Sequence, residues 1–200
     1  MNKPKFFAFA LFLICFSSFS NSFAQTDNNQ SEPSYEVVLQ VLIASNNSTT
    51  KTNIPANLSE TVNKFKKNFP YSDYRMISSN LQRIENKGTI SYRSLLNDLS
   101  PAAGQDIFSN WSLGNLKKET SASGGNRVSF QRFSFDARIP VTYISFNESK
   151  SSVPITNYEQ IGIILQGFNV PENIPTLIGT LAMPKNDEII FFILTVKPTE

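Results

Sequence analysis

An apolar run near the C-terminus restricts the fold more than any other feature of the sequence. Ile189 to Val196 reads IIFFILTV, with Thr195 as its one polar residue. A helix that crosses a bilayer needs about 20 apolar residues, so the run is too short for a helical membrane anchor. A strand with one solvent-facing side would alternate polar and apolar residues, and this run does not. We therefore expect Glu188 to Val196 to form a strand that is covered on both faces.

The N-terminus has the pattern of a secretory signal peptide. Lys3 and Lys5 precede an apolar stretch from Phe6 to Phe19, and Ser22-Phe23-Ala24 forms a small-x-small cleavage site. The sequence thus predicts a signal peptide at 1–24 and a mature chain that begins at Gln25, with no transmembrane helix left after cleavage. The expected location is periplasmic or extracellular, with association to an outer membrane as an extension of that prediction.

Cleavage changes the composition of the chain. Cys15 is the only cysteine, so the mature chain would hold no thiol and no disulfide. Lipid attachment at Cys15 is the alternative, but Leu13 and Ile14 are larger than the residues that precede a lipidated cysteine. Without Lys3 and Lys5, 16 of the 18 basic residues remain, against 16 acidic ones. A formally neutral chain gives no support for nucleic acid or anionic lipid as a partner.

The chain after the signal peptide divides into a polar leader and one domain. Residues 25–34 are rich in Asn, Gln and Ser, a composition typical of a flexible segment. Residues 35–200 have the length of a single β-rich domain. If two subdomains exist, the segment SPAAGQ, near residues 100–105, is where they would join.

One segment has the periodicity of an amphipathic helix. The predicted helix spans residues 55–68. Within it and just after it, apolar residues recur at spacings of four, three and four, at Leu58, Val62, Phe65 and Phe69. These spacings place the four side chains on one helix face. Pro55 suits the first turn and Pro70 ends the helix.

Strand patterns dominate the rest of the chain, and they predict an α+β fold of mostly antiparallel β structure with eight or nine strands. The predicted strands are Tyr35 to Ala44, Tyr74 to Glu85, Thr89 to Leu96, Trp111 to Thr120, Arg127 to Ile139, Val141 to Phe146, Gln160 to Val170, Thr176 to Ala182 and Glu188 to Val196. Asn86-Lys87-Gly88 predicts a hairpin turn, with positive φ at Gly88, and Ser121 to Asn126 predicts a longer hairpin loop.

The apolar phase changes inside one predicted strand. Val128 and Phe130 point to one side of the segment from Arg127 to Ile139, whereas Phe133 and Phe135 point to the other. A β-bulge near Gln131-Arg132, or a strand shared between two packing surfaces, would produce this change.

The residue types exclude several catalytic chemistries. The chain has no histidine, and the mature chain would have no cysteine, which removes Ser–His–Asp and Cys–His catalysis and zinc sites built on imidazole or thiolate. The adjacent acids Asp187 and Glu188 fit a solvated turn better than a calcium loop. We therefore predict no catalytic residues, no metal site and no cofactor.

A few side chains have both a binding and a structural interpretation. Asp136 lies among aromatic residues in FSFDAR, but it fits an outward position on a strand with Arg138 on the same face. Four aromatic residues would suit stacking on a sugar or a base, although buried or half-buried strand positions fit them better. These four are Tyr71, Tyr74, Trp111 and Tyr158.

The segment from Val170 to Leu181, VPENIPTLIGTL, followed by Glu188 to Thr195, EIIFFILT, resembles the closing region of bacterial secretins. Secretins are outer-membrane ring proteins in which a segment rich in proline and Leu-Gly precedes a closing strand. The resemblance covers about residues 170–195, and this chain is short beside a secretin with its ring-building domains and pore wall. It implies an envelope protein with a related terminal hairpin.

Two function classes follow from these patterns. The first is an exported, non-enzymatic envelope protein that acts by binding or assembly, with protein as its partner. The alternative is a carbohydrate-binding protein or a carboxylate-dependent hydrolase with a β-sandwich fold. A long bare sheet edge would favour the first class, and a pocket with two convergent acids would favour the second.

Overall fold

Strands account for most of the fold. A computed structural model describes residues 33–46, 54–96, 99, 107–120, 125–146, 152–184 and 187–199. The strands are β1 (Ser34–Ser45), β2 (Asp73–Glu85), β3 (Thr89–Leu95), β4 (Phe108–Gly114), β5 (Lys117–Thr120), β6 (Asn126–Phe146), β7 (Ser152–Pro171), β8 (Thr176–Ala182) and β9 (Glu188–Pro198). One helix, α1 (Ser59–Lys66), follows a 3₁₀ turn at Ala56–Leu58. The predicted α+β class with mostly antiparallel β structure is confirmed.

Three predictions concern segments that the structure does not describe. The signal peptide at 1–24 and the boundary near 100–105 lie outside the described residues, as does all of the leader at 25–34 except Pro33 and Ser34. Ser34 is the first residue of β1. All described residues belong to one compact unit, 32–200.

The nine strands form two antiparallel sheets that pack face to face. Sheet A has the order β2-β1-β9-β8, and in sheet B the strand β6 pairs with β4, β5 and β7, while β3 pairs with β4. The main core lies between the sheets. Within it the ring centroid of Phe192 from β9 lies 4.7 Å from that of Phe135 and 5.6 Å from that of Phe133, both from β6.

The strand β9 is covered on both faces, as its composition predicts. Ile190, Phe192 and Leu194 point into the core between the sheets. Phe191 and Ile193 point to the opposite face, into a second and smaller core under α1. Because β9 also lies between β1 and β8, both of its edges are hydrogen-bonded.

The predicted helix forms and supplies the cover for that second core. Leu58, Val62 and Phe65 are buried, and the Phe65 ring stacks on Phe191 with centroids 4.7 Å apart. Phe69, just after the helix, meets Phe191 edge to face at 5.2 Å. The apolar spacing of four, three and four therefore does mark the buried side of this segment.

One predicted hairpin is wrong. The turn at Asn86-Lys87-Gly88 is tight, with the Gly88 amide donating to Glu85 O at 2.9 Å, but β2 belongs to sheet A and β3 to sheet B. The turn is a link between layers. The positive φ is at Lys87, at 61°, and not at Gly88 as predicted. Gly88 is required for space, since a Cβ there would lie 2.9 Å from Glu85 O.

Three predicted strand limits are also wrong. The segment predicted as one strand from Trp111 to Thr120 is two strands, β4 and β5, separated at Asn115 and Leu116. The predicted break after Ile139 is absent because β6 continues through Pro140 to Phe146. The next strand, β7, begins at Ser152 and not at Gln160. Beyond Ala137, β6 has a described strand neighbour only on its β7 side. A strand with one unpaired edge can accept a proline whose missing N–H would face away from its partner.

The phase change in β6 occurs at the predicted place, but a bulge is not its cause. Val128, Phe130, Phe133 and Phe135 are all buried in the same core, and the pairing of β6 keeps one register through this point. Residues with positive φ lie beside Gln131 on the neighbouring strands. These are Asn115 (54°), between β4 and β5, and Gly167 (60°) in β7. The side-chain alternation of β6 and of the strands beside it therefore shifts at the same position along the sheet, that of Gln131.

Candidate interaction surface

The β6–β7 hairpin extends beyond the rest of sheet B. β4 pairs with β6 only as far as Ala137, whereas β7 pairs with β6 as far as Phe146. Residues 138–146 and 152–160 therefore form a two-stranded ribbon with no third described strand beside it, and we call this ribbon the arm.

The core-facing side of β6 continues into the arm and loses its cover there. Ile139 and Val141 are 4% and 5% exposed, whereas Tyr143 two residues further on is 39% exposed. Its register partner Ile155, and Val153 beyond it, are each 46% exposed. This side of the arm therefore presents to solvent a continuation of the apolar core.

The outer side of the arm is apolar at its end and polar nearer the sheet. Ile144 is 68% exposed. In the next register pair toward the sheet, the Oγ1 atoms of Thr142 and Thr156 lie 3.1 Å apart. The Arg138 guanidinium lies 5.6 Å from the ring centroid of Tyr158, a cation–π contact.

The described part of the arm has two charged residues, and each contacts a tyrosine. Glu159 accepts a hydrogen bond from the Tyr143 hydroxyl, and this bond raises the pKa of Tyr143 above its ordinary value. The other charged residue of the described arm is Arg138, on the opposite side. The described part of the arm therefore has no net formal charge.

Exposed apolar side chains concentrate on this hairpin. Ten large hydrophobic side chains of the described residues are exposed, and six of them belong to β6 and β7. They are Tyr143, Ile144, Val153, Ile155, Tyr158 and Ile164. Single exposed apolar residues are normal on a protein surface, whereas contiguous apolar patches are typical of interaction sites, and Tyr143, Val153 and Ile155 share one side of the arm.

The free edge of β7 is adjacent to these residues. Among the described strands β7 pairs with β6 alone. Between Pro154 and Pro171 the strand has sixteen residues without a proline and with one charge, that of Glu159. The edge strand β2 differs, since four of its 13 residues are charged. Charges and prolines are the usual protection of a sheet edge, and most of β7 lacks them.

The outer face of sheet B beside the arm is polar. Arg93 Nε donates to Asn110 Oδ1 at 2.7 Å, and Asn110 Nδ2 donates to Asp136 Oδ2 at 2.9 Å. A depression of about 520 Å³ adjoins this row at Gly162, and Asp136 is the one carboxylate in its lining. A second depression, of about 400 Å³, has no carboxylate in its lining. Neither has the two convergent acids that a hydrolase of the predicted kind would need.

The residues singled out in the sequence occupy mostly structural positions. Asp136 is half-buried on the outer face, as expected, but its partner is Asn110, and Arg138 stacks on Tyr158. Tyr74 and Trp111 are buried. Tyr71 is half-buried, and its ring meets that of Tyr74 edge to face at 6.4 Å.

The remaining residues singled out in the sequence are Tyr158, Asp187 and Glu188. Tyr158 is 50% exposed, so it is the one of the four aromatic residues that lies open to solvent. Asp187 lies at a bend, and Glu188 begins β9 with its Oε1 4.0 Å from Arg75 Nη2. Within the described ranges, no three acidic, histidine or cysteine side chains come close enough to hold a metal ion.

Sequence reasoning found only part of the arm. The predicted strands leave out the segment between Phe146 and Gln160, so Val153 and Ile155 belong to no predicted strand. The β-branched and aromatic residues of Val141 to Phe146 and of Val153 to Tyr158 are the signal that would have found the second half of the hairpin.

Comparisons with known proteins add no relative. No protein-family model matches the chain, no curated protein matches it, and no solved structure matches it. No helix in the described parts of the chain has the length and apolar character needed to cross a membrane.

Proposed function

We propose that this protein is an exported, non-enzymatic protein of the cell envelope that acts by assembly, and that two copies pair through the edges of β7. The observation that carries the proposal is the bare edge of β7 next to the exposed apolar side chains of the arm. Every second residue along this edge directs its backbone N–H and C=O away from β6, and a further strand would satisfy these groups.

A second copy of the chain is the partner that fits this edge best. Two identical strands can pair antiparallel about a two-fold axis, so one free edge is sufficient for a closed dimer. With one charged residue in the 20 of β7, there is little like-charge repulsion to oppose such pairing. Apolar side chains of β7 would then contact cross-strand neighbours on the other copy.

The first experiment places a charge at the edge. We expect sedimentation of residues 25–200 to show a dimer, and Ile164→Lys to weaken it by about tenfold or more, because it places a charged side chain on the pairing strand of each copy. Leu81→Lys on β2 is the matched control, since Ile164 and Leu81 are both 58% exposed. The control should dimerise like the wild type. Equal loss in both variants would count against the β7 interface.

The second experiment removes the arm. Val141 and Asn157 are register partners, so an Asn-Gly turn can join them in place of residues 142–156. We expect a folded protein by circular dichroism, with a melting temperature within about 5 °C of the wild type, and weaker dimerisation. A wild-type protein that stays monomeric up to about 100 µM would overturn the proposed assembly.

A further inference from the structure

A small cleft lies on the face of sheet A that also carries α1, and none of its lining residues belongs to the arm. Its volume is about 250 Å³. Val38 and Gln40 of β1 and Thr195 and Lys197 of β9 form its floor, and Val38 and Thr195 are register partners. The floor is therefore built on the two central strands of the sheet.

The walls of the cleft are held in place by hydrogen bonds. Asn57, in the turn before α1, forms one wall, and Asn173 and Pro175, between β7 and β8, form the other. Thr61 Oγ1 of α1 donates to Pro175 O at 3.1 Å, which ties one wall to the other. The backbone N–H of Asn173 donates to Val196 O of β9 at 2.7 Å. The cleft is thus formed without a ligand.

Two buried polar atoms in the floor have no partner within the protein. Gln40 and Thr195 are each 5% exposed, and Gln40 Oε1 and Thr195 Oγ1 accept or donate no hydrogen bond in the described part of the chain. Gln40 Nε2 has only the weak acceptor Met76 Sδ, at 3.9 Å. Buried polar groups are nearly always hydrogen-bonded, so this pair points to a polar molecule in the cleft.

The charge of the cleft favours an anion. Lys197 is the one charged residue in the lining, and Asn57 and Asn173 add amide donors. Glu36 pairs in register with Lys197, but its Oε1 lies 3.1 Å from Arg83 Nη2, so that carboxylate has its own cation. A water molecule in the liquid takes about 30 Å³, so the cleft of about 250 Å³ holds a molecule of a few heavy atoms.

We propose that this cleft binds a small carboxylate with a hydroxyl or amino group on the neighbouring carbon. The carboxylate would accept hydrogen bonds from Lys197 and the asparagine amides. The neighbouring hydroxyl or amino group would donate to Gln40 Oε1 and contact the Thr195 hydroxyl. The two buried atoms that have no partner within the protein, Gln40 Oε1 and Thr195 Oγ1, then each have one.

A ligand series tests the two halves of this match. L-lactate carries both groups, propionate lacks the hydroxyl and lactamide lacks the carboxylate. We expect lactate to shift the amide NMR signals of Asn173 and Thr195 in a saturable way, and the other two to bind more weakly by about tenfold or more. L-Alanine should behave like lactate. No saturable shift with lactate or alanine, or equal shifts with propionate, would overturn the proposal.

Variants separate a ligand site from a structural irregularity. Lys197→Met and Thr195→Val should each weaken lactate binding by about tenfold or more. Thr195→Val should leave the melting temperature unchanged or raise it, because it replaces an unpartnered buried hydroxyl with a methyl group. Lys117→Met and Thr89→Val, on sheet B, are the matched controls and should bind as the wild type does. Wild-type affinity in both cleft variants would contradict the proposed site.

Discussion

Phe191 and Phe192 are adjacent in the chain, yet their side chains fill different cores. Phe192 lies between the sheets against Phe133 and Phe135, and Phe191 lies under α1 against Phe65 and Phe69. Both are 0% exposed. At the scale of single residues, the alternation of a strand lets one short segment join three layers.

Truncation of either ring should be costly. We expect Phe191→Ala and Phe192→Ala each to lower the free energy of unfolding by about 3–5 kcal/mol, since each leaves a cavity in a closed core. Ile144→Ala, at a side chain that is 68% exposed, is the control and should change it by less than about 0.5 kcal/mol. Urea denaturation measures all three. A small cost at Phe191 alone would mean that α1 is not packed as described.

Tyr35 should make folding stability depend on pH in alkaline solution. Burial, and secondarily the negative charge of Glu172, raise the pKa of Tyr35 above its ordinary value of 10.0. The folded state then holds the phenol proton more tightly than the unfolded state. This contribution is fully present below pH 10.0 and is lost as the pH rises through the raised pKa of the folded state.

Tyr35→Phe removes the titrating group and keeps the ring. Its free energy of unfolding should therefore fall less than that of the wild type between about pH 9 and pH 11. Denaturation curves at several pH values in this range compare the two proteins. Parallel losses of stability would show that Tyr35 does not contribute.

At the scale of elements, β9 is the centre of the sandwich. It pairs with β1 on one edge and β8 on the other, and both of its faces are buried. β8 and β9 also pair as an antiparallel hairpin. The resemblance of this segment to the closing region of secretins stays a prediction.

Loss of β9 should prevent folding. A chain that ends after Lys185 would expose the inner edges of β1 and β8 and would lose the apolar residues that both cores share. We expect it to be insoluble or to lack the β signal in circular dichroism. A chain that lacks only Glu200 is the control and should fold. A folded, soluble product after truncation at Lys185 would contradict the central role of β9.

At the scale of the whole molecule, the proposed assembly depends on export and on near-neutral charge. Sixteen basic and 16 acidic residues would remain after removal of residues 1–24, so association through β7 would depend little on ionic strength. In such a protein the β7 edge and the arm would make the contacts with the second copy, and the two packed sheets would hold them in position.

Export itself is testable. Expression of the full chain in a bacterial host should give a product outside the cytoplasm whose first residue is Gln25, because Ala24 completes the cleavage site. N-terminal sequencing of the fractionated protein checks this. A product that keeps Met1, or one that begins at a lipid-modified Cys15, would show that the predicted processing is wrong.

The sequence alone determined the elements whose signal is local. IIFFILTV has no polar face, so Ile189 to Val196 had to be covered on both sides, and the spacing of Leu58, Val62 and Phe65 predicted a helix with one apolar face. Tertiary structure decided that this helix covers β9, and it decided which strands pair. The separation of β2 from β3, the free edge of β7 and the cleft at Gln40 and Thr195 depend on neighbours that are distant in the chain. Strand pairing is set by contacts between such distant segments, and periodicity within one segment does not contain them.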